Sequence, residues 1–173
     1  MCSARAHGLT KICSATAQRK NGGNKKEMMV DKVMSSPVIS VTTATTIRMA
    51  AELMRDHNVG GLPVLQDERL VGIVTDRDIV VRALAAQGVP LGMSAEVTAI
   101  MSDRVITCFV DKNVEEAAGL MGEQQVRRLL IMDRSGTPVG ILSVGDIAEH
   151  VSEELAGQVL GEISEARARD MNT

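Results

Sequence analysis

Aromatic side chains are almost missing from this chain. It has one phenylalanine, Phe109, and neither tyrosine nor tryptophan. Modules that stack bases on aromatic platforms are all but excluded by that shortage, and aromatic cages for quaternary ammonium groups are excluded outright. No run approaches the roughly 18 apolar residues of a membrane span, so no membrane partner is expected. The 19 Lys and Arg are outnumbered by 22 Asp and Glu, a net charge of -3. A basic field that would draw nucleic acid is therefore absent. The three cysteines (Cys2, Cys13, Cys108) and three histidines (His7, His57, His150) form no ligand motif, and no metal is expected. An odd cysteine count without an export signal fits a reducing, cytoplasmic setting. Cys108, inside an apolar run, reads as a small core residue. Ser/His/Asp sets, Gly-rich phosphate loops and cysteines with a nearby base are also missing, so no catalytic residue is expected and the chain does not read as an enzyme.

What is present is a soluble composition with 45% apolar residues over 173 positions, enough for one core or two small subdomains sharing one. Eleven methionines, with many Val, Ile, Leu and Ala, must fill it. Charge is uneven. Residues 1–29 carry Arg5, Lys11, Arg19, Lys20, Lys25 and Lys26 against Glu27 alone, which leaves residues 30–173 at 13 bases and 21 acids. That first segment lacks apolar periodicity and contains the flexible run Asn21-Gly22-Gly23-Asn24. It reads either as a disordered basic tail or as a miscalled start, with translation beginning at Met28 or Met29.

Self-similarity is the strongest signal. At an offset of 67 residues, Met34-Ser35 falls on Met101-Ser102, Val38-Ile39 on Val105-Ile106, and Ala50-Ala51 on Ala117-Ala118. Leu53-Met54 falls on Leu120-Met121, Val59 on Val126 and Leu62 on Leu129. After a one-residue insertion, Val71-Gly72-Ile73 falls on Val139-Gly140-Ile141 and Asp78-Ile79 on Asp146-Ile147.

Each copy predicts the order β-α-β-β-α. The first strands are 38–41 and 105–108. The helices 45–57 and 112–124 carry apolar stripes at i, i+3, i+4, i+7: Ile47, Ala50, Ala51, Met54 and Val114, Ala117, Ala118, Met121. Thr43 and Asp111 are their candidate N-caps. Hairpins follow at 62–65 with 70–75, turning at Asp67-Glu68, and at 129–132 with 139–143, turning through Ser135-Gly136. Closing helices are expected at 76–87 and 144–155, with inward faces Ile79, Val80, Ala83, Leu84 and Ile147, Val151, Leu155. The chain thus divides into a tail (1–29), repeat one (30–87), a linker (88–96), repeat two (97–155) and a polar helical extension (156–173). The fold class is α/β (α+β). A three-stranded sheet with helices cannot bury both faces alone, so the two repeats are expected to pack sheet to sheet with pseudo-twofold symmetry.

These repeats resemble a tandem pair of CBS domains, the cystathionine-beta-synthase type called a Bateman module. The resemblance rests on Val33-Met34-Ser35-Ser36-Pro37-Val38, Leu62-Pro63-Val64 and Gly72-Ile73-Val74-Thr75-Asp76-Arg77-Asp78-Ile79 in the first copy. In the second it rests on Ile100-Met101-Ser102, Val126-Arg127-Arg128-Leu129 and Gly140-Ile141-Leu142-Ser143-Val144-Gly145-Asp146-Ile147. It covers about residues 30–151, and the chain is most similar in kind to small stand-alone bacterial signal-transduction members. The resemblance implies a non-enzymatic regulatory module and a homodimer of flat-disc form, with an unknown effector protein as a further partner. It also implies that AMP, ADP, ATP or NAD, or at times S-adenosylmethionine, binds in clefts between the repeats. The dimer contact is expected on the closing helices, at Ile79, Leu84, Ile147 and Val151.

The residues agree chemically. A hydroxyl at a strand end before a helix offers donors to phosphate, and an Asp three residues on can accept ribose hydroxyls. Thr75 and Asp78 would serve one site, and Ser143 and Asp146, with Gly145 between them, the other. Arg127 or Arg128 would meet phosphate, with Arg77 a second candidate. Aliphatic Val38, Ile39, Val105 and Ile106 would flank adenine. Each has a plainer reading. Thr75 and Ser143 serve equally as helix caps, Asp78 and Asp146 as stabilising carboxylates in a first turn, and the arginines as partners of surface acids. The copies also differ: Gly60-Gly61 faces Arg127-Arg128, Asp76-Arg77 faces Val144-Gly145, and Pro63 faces Leu130. Two such sites cannot carry equal charge, which leaves open that one is empty or takes a different ligand. The competing functional reading is a ligand-independent dimeric scaffold that regulates a partner by contact.

Overall fold

A computed structural model describes residues 11–12, 27–86 and 91–170. They fall into two compact units, Ile39–Val105 on one side and Lys11–Val38 with Ile106–Thr173 on the other. Most of the segment 1–29 lies outside the described residues, as do 87–90 around the start of the linker. Lys11–Ile12 form a short strand, β1.

In the first unit, β2 (Val41–Thr42) runs parallel to β3 (Gly61–Gln66), which is antiparallel to β4 (Arg69–Thr75). Helix α1 (Ile47–His57) crosses between β2 and β3 and buries Ile47, Ala50 and Met54, three of its four predicted stripe positions. Its cap is Thr46, whose Oγ1 accepts from Met49 N at 3.2 Å, and not Thr43. Thr43 is still engaged in sheet pairing, its nitrogen donating to Leu65 O. The β3–β4 turn holds Asp67 and Glu68 at φ 50° and 63°, the paired left-handed geometry of a tight hairpin.

The closing helix differs from expectation. Asp76–Asp78 (α2) form one α-turn, and Ile79–Leu84 continue as π-helix. The buried face of this segment is narrower than the predicted one. Ile79 and Ala83 are buried, but Val80 and Leu84 are 55% and 54% exposed.

The second unit repeats this plan. β5 (Ile106–Phe109) is parallel to β6 (Arg128–Met132), which is antiparallel to β7 (Pro138–Ser143), and β1 joins the outer side of β5. Helix α3 (Val114–Gln124) buries Val114, Ala117, Ala118 and Met121. Asn113, not Asp111, caps it, accepting from Glu116 N at 2.7 Å. Asp111 instead takes a fork of hydrogen bonds from Arg134, whose guanidinium lies 4.0 Å over the ring of Phe109. Helix α4 (Val144–His150) ends earlier than predicted because Val151 leaves helical geometry. Ser152 then accepts from Leu155 N and starts α5 (Glu153–Asp170), so Leu155 belongs to the new helix. The extension is not merely polar: Ala156, Val159 and Ile163 join the core of this unit. Gly122 admits α5 closely, since a Cβ there would collide with Glu162.

Each unit also takes in the segment that precedes the other repeat. In the second unit, Met28 O accepts from Val114 N, Val30 N donates to Lys112 O, and Ser35 exchanges both backbone bonds with Ile141. In the first, at the 67-residue offset, Ala95 O accepts from Ile47 N, Val97 N donates to Thr45 O, and Ser102 exchanges both bonds with Ile73. The repeated Met-Ser pairs are these crossing points. The repeated glycines make room for them. A Cβ on Gly72 would lie 2.8 Å from Ser102 O, and one on Gly140 would lie 3.0 Å from Ser35 O.

Candidate functional site

The glycine strands β4 and β7 end at the two repeated motifs, and the strand ends set their geometry. Thr75 leaves β4 extended and its Oγ1 accepts from Asp78 N at 3.2 Å. Asp78 reaches back, Oδ2 accepting from Thr75 N at 2.9 Å and Thr75 Oγ1 at 2.6 Å. Ser143 and Asp146 repeat the box: Asp146 Oδ2 accepts from Ser143 N and Oγ, both at 2.7 Å, and Ser143 Oγ accepts from Asp146 N at 3.1 Å. The plain capping reading is therefore realised at both motifs. It consumes one carboxylate oxygen of each aspartate. An ionised carboxylate offers about four acceptor sites, so the second oxygen remains chemically available.

The strand that opens each hairpin lies beside the motif. Gly61 pairs with Thr75 and Gly60 O accepts from Asp76 N. In the second unit Arg128 pairs with Ser143 and Arg127 O accepts from Val144 N. Arg127 and Arg128 thus stand at the Ser143–Asp146 box of their own unit, both exposed and with no ion pair among the described residues. At the corresponding place in the first unit, a Cβ on Gly60 would meet Asp76 Oδ2 at 3.2 Å. A carboxylate occupies the space that an arginine stem fills in the other copy. Arg77 is exposed next to it, its nitrogen donating to Asp76 Oδ1. Gly145 is exposed in the second motif.

The four aliphatic candidates divide between the units: Ile39 and Val105 in the first, Val38 and Ile106 in the second. Val38 and Ile39 are half-buried, and Ile39 packs against the core of its unit. Ile106 belongs to the core of the second unit, and Val105 is also buried. Ile79 and Ile147, expected at a dimer contact, are core residues as well. Their place on the surface is taken by Val80, Val81 and Leu84.

Two residues escaped the sequence reading. Arg82 lies 3.3 Å from Asp78 Oδ1 through its Nη1. The two are an i,i+4 pair at ordinary helical spacing, but the bonds from Arg82 to the 100–102 segment have no local trace in the sequence. Thr107 is buried in β5 and its Oγ1 has no hydrogen-bond partner among the described residues. A hydroxyl inside a predicted strand was its only signal. An open depression of about 390 Å³, lined by Arg48, Ala51, Glu52, Arg55 and Met93, involves none of the motif side chains. Among the described residues no group of three His, Cys, Asp or Glu is placed to hold a metal, and no helix is long and apolar enough to cross a membrane.

Comparison with known proteins bears on this geometry. The family model described as CBS domain matches twice, over residues 30–84 and 97–153. The CBS domain-containing protein YhcV of Bacillus subtilis is 39% identical over 136 residues, covering 78% of this chain and 94% of its own. Among solved structures, the CBS domain protein TA0289 of Thermoplasma acidophilum, described as of unknown function, aligns with a TM-score of 0.67 at 25% identity, covering 79% of this chain and 76% of that one. The CBS domain pair of protein MJ0100, solved with 5′-methylthioadenosine and S-adenosyl-L-methionine, aligns with a TM-score of 0.64 at 28% identity, covering 74% and 98%.

Proposed function

Since the chain belongs to the CBS-domain family and carries both members of a pair, we propose that it is a regulatory module, without chemistry of its own, that binds an adenosine-containing ligand at the Thr75–Asp78 and Ser143–Asp146 motifs. The observation that carries this reading is the repeated capping box, which orients each aspartate and leaves one carboxylate oxygen over for ribose hydroxyls. The adenosine compounds bound by the MJ0100 pair support the ligand class. AMP, ADP, ATP and NAD are the candidates that also carry phosphate. Arg127 and Arg128 favour such a ligand at the second motif, because guanidinium forks match phosphate oxygens. Asp76 repels phosphate at the first, which suits a ligand with less negative charge there. Adenine would rest on aliphatic side chains.

Calorimetry tests this. A ligand bound only by the folded state at a hundredfold excess over Kd adds about 2.7 kcal/mol. For a chain of this size that corresponds to a rise of roughly 5–10 °C in Tm. At least one of AMP, ADP, ATP, NAD and S-adenosylmethionine should give it at millimolar concentration, and guanosine nucleotides should not. Absence of a shift with all five would overturn the reading.

A second reading, the dimeric scaffold, is favoured by the exposed apolar Val80, Val81 and Leu84 on the π-helix. Homodimerisation through that face is compatible with ligand binding. Light scattering should give twice 18.5 kDa. Val80→Glu with Leu84→Glu should return the monomer. A parent that is monomeric at micromolar concentration would reject the scaffold.

A further inference from the structure

Arg82 sits in the π-helical turn with its side chain 48% exposed, beside an Asp78 side chain that is 13% exposed. Its Nη1 donates to Ile100 O at 2.7 Å, Met101 O at 3.1 Å and Ser102 Oγ at 3.1 Å, and lies 3.3 Å from Asp78 Oδ1. One nitrogen with two hydrogens therefore faces four oxygens. Three belong to the segment that crosses Gly72, where Ser102 pairs with Ile73, and the fourth is the motif oxygen that the capping box leaves over. The other motif lacks this arrangement. His150 stands at the position corresponding to Arg82, exposed, and makes no bond to Val33–Ser35 among the described residues.

We propose that Arg82 is a positioning residue that couples occupation of the Asp78 site to the hold on residues 100–102. The coupling rests on the reading of Asp78 as a ribose acceptor. Without ligand, Asp78 Oδ1 competes with the segment for the two Nη1 hydrogens. Ribose hydroxyls donating to Oδ1 satisfy that oxygen and weaken its pull on the guanidinium. Nη1 then settles on Ile100 O, Met101 O and Ser102 Oγ, and the segment that leads from the first repeat into the second is held more tightly. By linkage, whatever tightens the segment raises affinity at Asp78 by the same factor. Among the described residues only the first motif is wired in this way, so the two sites report to the rest of the chain unequally.

Hydrogen exchange read by mass spectrometry tests the coupling, with AMP and 5′-methylthioadenosine as probes and calorimetry to establish binding. The full chain carrying Asp146→Ala confines binding to the first motif. In the free protein, Arg82→Gln should speed exchange across 97–105 severalfold and leave 28–38 as it was. Saturating probe should slow exchange across 97–105 in the Asp146→Ala protein but not when Arg82→Gln is added. Arg82→Lys, which keeps the charge and loses the fork, should fall between, and it replaces the Gln variant if that does not fold. Exchange at 97–105 that ignores Arg82→Gln, or that ignores a probe shown to bind, would overturn the coupling. If neither probe binds, the ribose reading of Asp78 fails and Arg82 is reduced to a fixed clamp on the segment.

Discussion

Gly72 lies directly against Ser102, so closely that a Cβ on the glycine would come within 2.8 Å of the Ser102 carbonyl oxygen. Gly140 stands in the same relation to Ser35. Both glycines sit in mid-strand with ordinary backbone angles, so the requirement is for space. Ser102 and Ser35 are held by paired backbone bonds to Ile73 and Ile141 and cannot step aside cheaply. Gly72→Ala and Gly140→Ala should each destabilise by about 1–3 kcal/mol, the usual cost of overpacking. Thermal melting followed by far-ultraviolet circular dichroism should show the loss. A melting temperature equal to the parent's would mean that the crossing segments are not docked as described.

The capping role and the ligand role of the motif aspartates separate by mutation. Ser143→Ala removes the hydroxyl that caps α4 and should cost about 0.5–2 kcal/mol, while Asp146 keeps its carboxylate. Asp146→Ala removes both roles. In the absence of ligand the two variants should melt at similarly lowered temperatures. With AMP, the shift should persist in Ser143→Ala, reduced, and should shrink much further in Asp146→Ala, which also loses a charged acceptor worth about 1.5–3 kcal/mol. Equal AMP shifts in the two variants would leave Asp146 as a cap alone.

The repeat, the element order and the motif positions were legible because each leaves a periodic trace: a 67-residue offset, a stripe at helical spacing, a hydroxyl three residues before an aspartate. The caps were misread where a side chain had another engagement. Asp111 is claimed by Arg134, and Thr43 by pairing with Leu65. The face of the first closing helix was drawn too wide: Ile79 and Ala83 form the buried stripe, and the apolar Val80 and Leu84 flank it on the surface. The bonds from Arg82 to Ile100–Ser102 were not legible, since those partners are eighteen or more residues away and meet it only through the crossing of segments; its i,i+4 spacing to Asp78 was the one local signal.

The β6–β7 turn carries a pH-sensitive group. Asp133 Oδ1 accepts from Ser135 Oγ at 2.6 Å, Thr137 N at 2.8 Å and Ser135 N at 2.9 Å. These bonds, that from the Ser135 hydroxyl foremost, hold its pKa below the ordinary carboxylate value. A carboxyl with a depressed folded-state pKa contributes stability that is fully present above the unfolded value, about 3.9 for Asp, and is lost as pH falls through the lower folded value. Urea unfolding between pH 5 and about 2 should therefore fall off less steeply for Asp133→Asn than for the parent. Parallel acid limbs would show that the turn does not discriminate the charged form.

Arg127 and Arg128 stand exposed beside Ser143, without an ion pair among the described residues, and their counterparts in the other unit are glycines next to Asp76. That asymmetry predicts how phosphate should matter. Exposed guanidinium groups attract a phosphate through a screened field, so their effect must weaken with salt over a Debye length of about 8 Å at physiological ionic strength. Arg127→Gln with Arg128→Gln should lower affinity for AMP by about tenfold or more and leave affinity for adenosine nearly unchanged, given charge-assisted bonds of about 1.5–3 kcal/mol. Raising sodium chloride from about 50 to 500 mM should erase much of the parent's preference for AMP over adenosine and have little effect on the double variant. Isothermal titration calorimetry gives both comparisons directly. Equal losses for AMP and adenosine would place the arginines in the support of the Ser143 strand end rather than at phosphate. A preference for AMP that survives both substitutions would move the phosphate to the first motif, where Arg77 and Arg82 both carry exposed guanidinium groups.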